Sequence, residues 1–224
     1  MNLSPDRYEY MLWRRRKRAA AAGGKLQEQE AIRQCQAGNL AALGALFELH
    51  HLSVFRTSFG IVRRIDLAED VTQQVFIELS TAIKRYDLRR PFPPWLHRIA
   101  VHRSLDELRR RKDRDVPIEA AGELPSPSTS PEQAAEESEL RANIREALGS
   151  LEPRHRAAVV LRYYQGFNEA EMAVALRCRR GTVKSRVHYA LRRLREILAL
   201  HSPSLYDEMP YQPSPSPSSD ALTG

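Results

Sequence analysis

Apolar side chains recur at helical spacing along residues 66–86, and this pattern excludes a β-strand there. One of them falls at every fourth position, and Phe76, Ala82 and Tyr86 widen the stripe; the five that repeat are Leu67, Val71, Val75, Leu79 and Ile83. Asp66 followed by Glu69 resembles an N-terminal capping pair, so we expect the helix to begin there. An earlier helix is predicted after Asn39.

Prolines interrupt the helical pattern downstream. Pro91, Pro93 and Pro94 lie close together, and proline lacks the amide proton that a helix interior needs. The spacing therefore predicts a loop here and a further helix beginning near Trp95.

A second helical pattern covers residues 139–201. One helix is predicted over 153–165 and ended by Gly166, and Asn168 with Glu171 can cap the next. After a break at 177–180, a longer helix carries an apolar face that includes Val183, Val187, Ala190, Leu191, Leu194 and Leu198. Two short helices followed by a basic third indicate a helix-turn-helix.

Composition divides the chain into five segments. Residues 1–25 form a basic arm, 113–138 an acidic stretch bearing proline and serine, and 202–224 a tail rich in serine and proline; all three are expected to be disordered. The sequence therefore predicts an all-α protein with two small helical domains, 26–112 and 139–201, joined by a flexible acidic linker.

The net charge is +7, which favours binding to polyanions, with nucleic acid ahead of an anionic membrane surface. On the last helix the basic and hydroxyl side chains lie opposite the apolar face, where Arg can pair with guanine and Lys can neutralise phosphate. A solvated basic helix that contacts nothing is the alternative.

The sequence predicts neither an enzyme nor a cofactor. It contains no glycine-rich phosphate loop, metal-ligand cluster or nucleophile motif. Cys35 and Cys178 form no CxxC pair; Cys178 is interpreted as an inert thiol, with a redox switch as the alternative. No apolar run reaches the length of a membrane span, so we expect a cytoplasmic protein.

Strings in the second domain resemble a known family. The string at 151–156 is LEPRHR, the one at 161–166 is LRYYQG, and GTVKSR at 181–186 precedes LRRLR at 191–195. Together they resemble region 4 of the extracytoplasmic-function (ECF) sigma factors, which belong to the sigma-70 family.

The first domain carries the matching partner motifs. DLAEDVTQQVF at 66–76 resembles sigma region 2.2, and PFPPWLHRIA at 91–100 with DELRRR at 106–111 resembles regions 2.3 and 2.4. The resemblance implies a sigma factor that directs core RNA polymerase to promoters and melts promoter DNA. It further implies docking to the clamp helices of the largest subunit and the flap of the second-largest subunit, with an anti-sigma factor as a further partner.

The resemblance also implies three sets of site residues. The minus-thirty-five element would be read by Arg179, Arg180, Thr182, Lys184, Ser185, Arg186, Tyr189 and Arg192. The minus-ten element would be contacted by Phe92, Trp95, His97, Arg98, His102 and Arg103. Polymerase would be bound by Asp66, Glu69, Asp70, Gln73, Gln74 and Phe76.

Simpler interpretations stand beside these roles. Trp95 can be a core anchor, His97 and His102 can be packed or surface histidines, and acidic groups near a helix N-terminus are favourable without any partner. Arg177 and Arg179 occupy turn positions where the family usually has Gly and Ser, and Val101-His102 replaces an Arg-Asn pair. The alternative function is a dimeric helix-turn-helix regulator that binds an operator independently of polymerase.

Overall fold

The computed structural model describes residues 24, 26–112 and 143–201, and the described elements are all helical. In chain order they are α1 (26–36), α2 (Ala42–Val62), α3 (Ile65–Ala82), α4 (Phe92–Lys112), α5 (143–149), α6 (Pro153–Val159), α7 (Glu169–Ala175) and α8 (Arg180–His201). A 3-10 turn, Ile83–Arg85, extends α3, and one π turn, Val160–Tyr164, extends α6. This confirms the predicted all-α fold.

Three predicted segments lie outside the described residues: the basic arm 1–25 apart from residue 24, the linker 113–138, and the tail 202–224.

The first helical core is formed by α1 to α4. The apolar stripe of α3 is buried as the spacing predicts, with Val71, Val75 and Leu79 at most 1% exposed. Ile32 of α1 and Leu46 of α2 complete this core on the other side. The predicted helix over 66–86 is thereby confirmed.

Two predicted helix starts were wrong. Helix α3 begins at Ile65 after Arg64, and no side chain caps it; Asp66 lies in its first turn, where its carboxylate accepts a hydrogen bond of 3.0 Å from Nε of Arg64. Helix α4 begins at Phe92, three residues before the expected start, because prolines are tolerated in a first turn whose amides have no helical partner.

The helix-turn-helix prediction is confirmed in detail. The side chain of Asn168 accepts hydrogen bonds from the backbone amides of Ala170 and Glu171, and the carboxylate of Glu171 accepts one from the amide of Asn168. This reciprocal capping box starts α7. The turn that follows places Arg177 in the left-handed region, with a φ of 48°.

The contacts between residues divide the chain into two compact units. The first combines the described residues of Met1–Ser126 with Glu152–Ala190, and the second contains the described residues of Pro127–Leu151 and Leu191–Gly224. Within the first unit, α6 packs on α2 and α7 packs on α4. The second unit buries Leu148, Leu151, Leu194 and Leu198. The domain boundaries 26–112 and 139–201 stay predictions.

Candidate polymerase and nucleic-acid surfaces

The solvent face of α3 carries an acidic and amide surface. Asp66, Glu69, Asp70 and Gln73 are exposed on it, and Gln74 is half-buried at its margin. The pKa of Asp66 is lowered, and the largest cause is the hydrogen bond that its carboxylate accepts from the Arg64 guanidinium. Carboxylate and amide side chains thus lie side by side on the exposed face of one helix, which suits docking on a basic partner.

Phe76, expected at this docking face, lies in the core instead. It is 7% exposed, and its ring meets that of Phe47 edge-on at 4.9 Å. The reason is its position beside Val75 on the apolar stripe. The exposed face does contain an apolar residue that sequence reasoning missed, because Ile77 is 70% exposed. The sequence did contain a sign of this exposure, because Ile77 lies off the apolar stripe of α3, one helical turn after Gln73.

Aromatic rings cluster where α4 begins. The ring centroids of Tyr86 and Trp95 are 4.9 Å apart, and Phe92 lies 5.3 Å from Tyr86 and 5.7 Å from Trp95. The Tyr86 hydroxyl donates to the carbonyl of Arg90, and burial raises the pKa of Tyr86 to about 12. The cluster fixes the loop before α4 and holds one ring, that of Trp95, at the half-buried margin.

Two of the expected minus-ten residues are buried. Phe92 is 2% and His97 1% exposed, because the early start of α4 turns both toward the interior. His97 Nδ1 lies 2.9 Å from the Pro93 carbonyl oxygen and Nε2 lies 3.4 Å from Ser53 Oγ. Desolvation lowers the pKa of His97 to about 4. His97 is therefore a neutral core residue, and neither side chain offers a surface for DNA in this arrangement.

The remaining four expected minus-ten residues, Trp95, Arg98, His102 and Arg103, are exposed or half-buried on α4. The Arg98 guanidinium lies 5.9 Å from the centre of the Trp95 ring, a cation–π contact. His102 is exposed beside Asp106, at 3.1 Å, and Arg103 Nε donates to Glu78 Oε2 at 2.7 Å. A half-buried aromatic flanked by cations is the combination that stacks on a base and holds its phosphate.

The exposed side of α8 carries the residues predicted for double-stranded DNA. Lys184, Ser185, Tyr189 and Arg192 are exposed, while Val183 is fully buried. Arg179 and Arg180 are exposed where the helix begins, and Thr182 and Arg186 are half-buried. The structure thus brings this predicted set to one helix and its preceding turn, in the position of a recognition helix.

Contacts with neighbouring elements orient parts of this helix. The Tyr189 ring stacks on that of His155 at 4.9 Å, and Lys184 Nζ lies 3.8 Å from a carboxylate oxygen of Glu169. Arg186 lies with one guanidinium nitrogen 3.8 Å from Cys178 Sγ. His155 was missed as a neighbour of the recognition helix, since nothing in the sequence places 155 beside 189.

None of the helices in the part of the chain that the structure describes is both long and apolar enough to cross a membrane.

Comparisons with known proteins match both halves of the chain. The family Sigma-70 region 2 matches residues 46–114, and the family Sigma-70, region 4 matches residues 141–194. The chain is 37% identical over 172 residues to the ECF RNA polymerase sigma factor SigE of Mycolicibacterium smegmatis, covering 74% of this chain and 66% of that protein. It is 31% identical over 163 residues to SigL of Mycobacterium tuberculosis, covering 72% and 92% respectively.

A solved structure shares the fold. The sigma factor RpoE from Bartonella quintana, crystallised with the anti-sigma factor NepR, superposes with a TM-score of 0.58 at 24% identity. The match covers 70% of this chain and 96% of that one.

Proposed function

The chain belongs to the ECF sigma factors of the sigma-70 family. We propose that separate surfaces on α3, α4 and α8 bind the polymerase, the minus-ten element and the minus-thirty-five element. The chain directs core RNA polymerase to promoters and initiates transcription there. The observation that carries this function is the presence of both sigma regions, in order, in one chain. An operator-binding dimeric regulator is not favoured, since such a regulator has no use for region 2.

The acidic face of α3 docks on the clamp helices of the largest polymerase subunit. Its carboxylates Asp66, Glu69 and Asp70 supply the charge, and the exposed Ile77 beside them supplies an apolar contact. An interface of this kind combines a buried apolar anchor with a charged rim.

The Trp95 surface captures the opened minus-ten element. Trp95 stacks on an unpaired base, while Arg98, His102 and Arg103 hold the phosphates around it; stacking of this kind contributes roughly 1–3 kcal/mol per base. The exposed side of α8 enters the major groove of the minus-thirty-five element, with Lys184 and Arg192 on phosphates and Ser185 and Tyr189 at base edges.

The chain itself catalyses no reaction and acts in the cytoplasm with the polymerase. Its domain that resembles region 4 also contacts the flap of the second-largest subunit. An anti-sigma factor is a further partner, as it is for the RpoE relative.

Addition of the purified chain to sigma-free core polymerase tests this function. We expect transcription from a subset of promoters in a genomic library, each with a shared pair of elements upstream of the start site. The function is overturned if no promoter responds and the isolated chain instead binds a palindrome tightly.

A further inference from the structure

An aromatic side chain on the exposed side of α8 contacts a second helix. Tyr189 lies one helical turn after Ser185 and directly before Ala190, which is fully buried. Its ring stacks on the imidazole of His155 in α6, with 4.9 Å between ring centroids and an angle of 28° between the planes. Stacking at this separation is a favourable geometry for two planar rings. One of the side chains proposed to read base edges is therefore supported from outside its own helix.

His155 is itself held by the start of α6. Helix α6 begins at Pro153, directly after Glu152, and the backbone amide of His155 donates to the Glu152 carbonyl at 2.9 Å. Nδ1 of the His155 ring lies 3.4 Å from a carboxylate oxygen of Glu152. The residues that follow, 156–159, are all buried, so the first turn of α6 is anchored in the core. The imidazole is thus a fixed support for the Tyr189 ring.

Without this support the Tyr189 side chain has a choice of rotamers. It is 49% exposed, and a helix allows a long side chain two of the three staggered χ1 angles. A change of χ1 swings the phenol hydroxyl much farther than the length tolerance of a hydrogen bond. Only one of the two rotamers therefore suits the reading of a given base pair.

We propose that His155 is a positioning residue for the minus-thirty-five element: its ring holds Tyr189 in the rotamer from which the phenol reaches a base edge. The inference rests on the proposed function, because it requires α8 in the major groove. It adds to that function a residue outside the recognition helix that sets how sharply one base pair is distinguished. His155 acts through Tyr189 and not by contact with DNA.

The support should affect discrimination between base pairs more than general affinity for DNA. In the complex with the preferred base pair, an unsupported Tyr189 has to be ordered on binding, and ordering one such side chain weakens binding by about two- to tenfold. In the complex with a mismatched base pair the phenol has no partner, so it need not be ordered and this loss does not arise. The ratio of the two affinities therefore falls by the same factor.

Four variants and a control separate the stack from the imidazole group. His155→Ala removes the support, whereas His155→Phe keeps a planar ring and removes both ring nitrogens. Tyr189→Ala removes the reading side chain, and the double variant completes a cycle in which coupled residues give non-additive effects. His51→Ala is the matched control, since the His51 ring stacks on that of Phe47 in α2, with 4.8 Å between centroids.

The experiment uses holoenzyme assembled from core polymerase and the full-length chain. Competition binding to duplex promoter fragments, each with one base-pair substitution in the minus-thirty-five element, gives the ratio of preferred to mismatched affinity at every position. A position that is read discriminates by about five- to a hundredfold. Because each ratio compares two DNA fragments on the same holoenzyme, differences in core affinity between variants cancel. The Tm of each free chain is measured in parallel.

We expect His155→Ala to lower the ratio about two- to tenfold at one position and to leave the other positions and the Tm near those of the wild type. Tyr189→Ala should lower the ratio at the same position at least as far, and the double variant should match Tyr189→Ala. His155→Phe should restore the wild-type ratio, and His51→Ala should retain it. A merely structural role for His155 predicts instead a lower Tm and an equal loss at all positions.

The inference is overturned if His155→Ala keeps the wild-type ratio at every position or lowers all ratios equally. It is also overturned if His155→Phe fails as His155→Ala does, since the imidazole itself would then be needed at the DNA. An effect of His155→Ala that persists in the Tyr189→Ala background has the same consequence. Failure of the proposed function is distinguishable, because the wild-type holoenzyme would then show no dependence on any position of the element, and the inference would fall with it.

Discussion

Glu78 of α3 holds Arg103 of α4 by a hydrogen bond of 2.7 Å between Oε2 and Nε. Both side chains are about one third exposed, and Arg103 belongs to the proposed minus-ten surface. If Arg103 holds phosphate as proposed, the Glu78 carboxylate competes with DNA for the same guanidinium. The pair links α3 and α4 in the structure.

Glu78→Gln should strengthen binding of single-stranded minus-ten DNA to the holoenzyme by about two- to fivefold, because the guanidinium is released toward phosphate. The slope of log affinity against log salt should steepen by about 0.7, the value for one additional phosphate contact on a single strand. Anisotropy titrations at several salt concentrations measure both. Glu48→Gln removes the same charge from an exposed position of α2 and should change the slope little. Equal slopes for the two variants would contradict the competition.

His97 should make the stability of the protein depend on pH between about 4 and 6.5. Its pKa is about 4 in the folded chain and about 6.5 when unfolded, so within this window the unfolded state binds the proton. The stabilisation is complete above pH 6.5 and is lost as the pH falls toward 4. It amounts to roughly 3 kcal/mol at most.

Urea unfolding at pH 7, 6, 5 and 4 measures this loss. His97→Gln, which does not titrate, should flatten the dependence, and the exposed His102→Gln should leave it unchanged. His50, the titratable neighbour that lowers the His97 pKa further, is present in all three proteins. A wild-type slope retained by His97→Gln would remove His97 as its source.

The helices could be predicted from the sequence because apolar spacing and the Asn168 capping box are local signals. Burial of Phe92 and His97 could not, since it depends on α4 starting among prolines that sequence rules treat as a loop. The hydrogen bond from Gln165 to Thr57 joins residues 108 positions apart, and no local sequence pattern predicts a contact over such a separation. Gly60, two residues before the end of α2, was a usable signal, because a glycine inside a helix often has a packing reason, and a methyl group there would meet Val160.

Arg177→Gly should stabilise the helix-turn-helix. Arg177 has a φ of 48°, a conformation that costs a side-chain-bearing residue about 1–3 kcal/mol and glycine very little. After the greater entropy loss of glycine, we expect a net gain of about 0.5–1 kcal/mol, or about 1–4 °C in Tm. Calorimetry measures it. Arg177→Ala, which removes the charge and keeps the strain, should gain almost nothing; if it gains as much as glycine, charge and not backbone conformation is responsible.

Asp70→Lys should weaken binding to core polymerase about tenfold or more. Asp70 is exposed at the centre of the acidic face of α3, between Asp66 and Gln73, so reversal places a cation where a basic partner is expected. Like charges in a contact cost several kcal/mol at worst and less at a solvated rim. Glu48→Lys makes the same charge change at an exposed position of α2 and should leave the affinity near that of the wild type. Equal losses in the two variants would indicate attraction by net charge alone, whereas a loss confined to Asp70→Lys, with duplex binding by α8 intact, places the polymerase on α3.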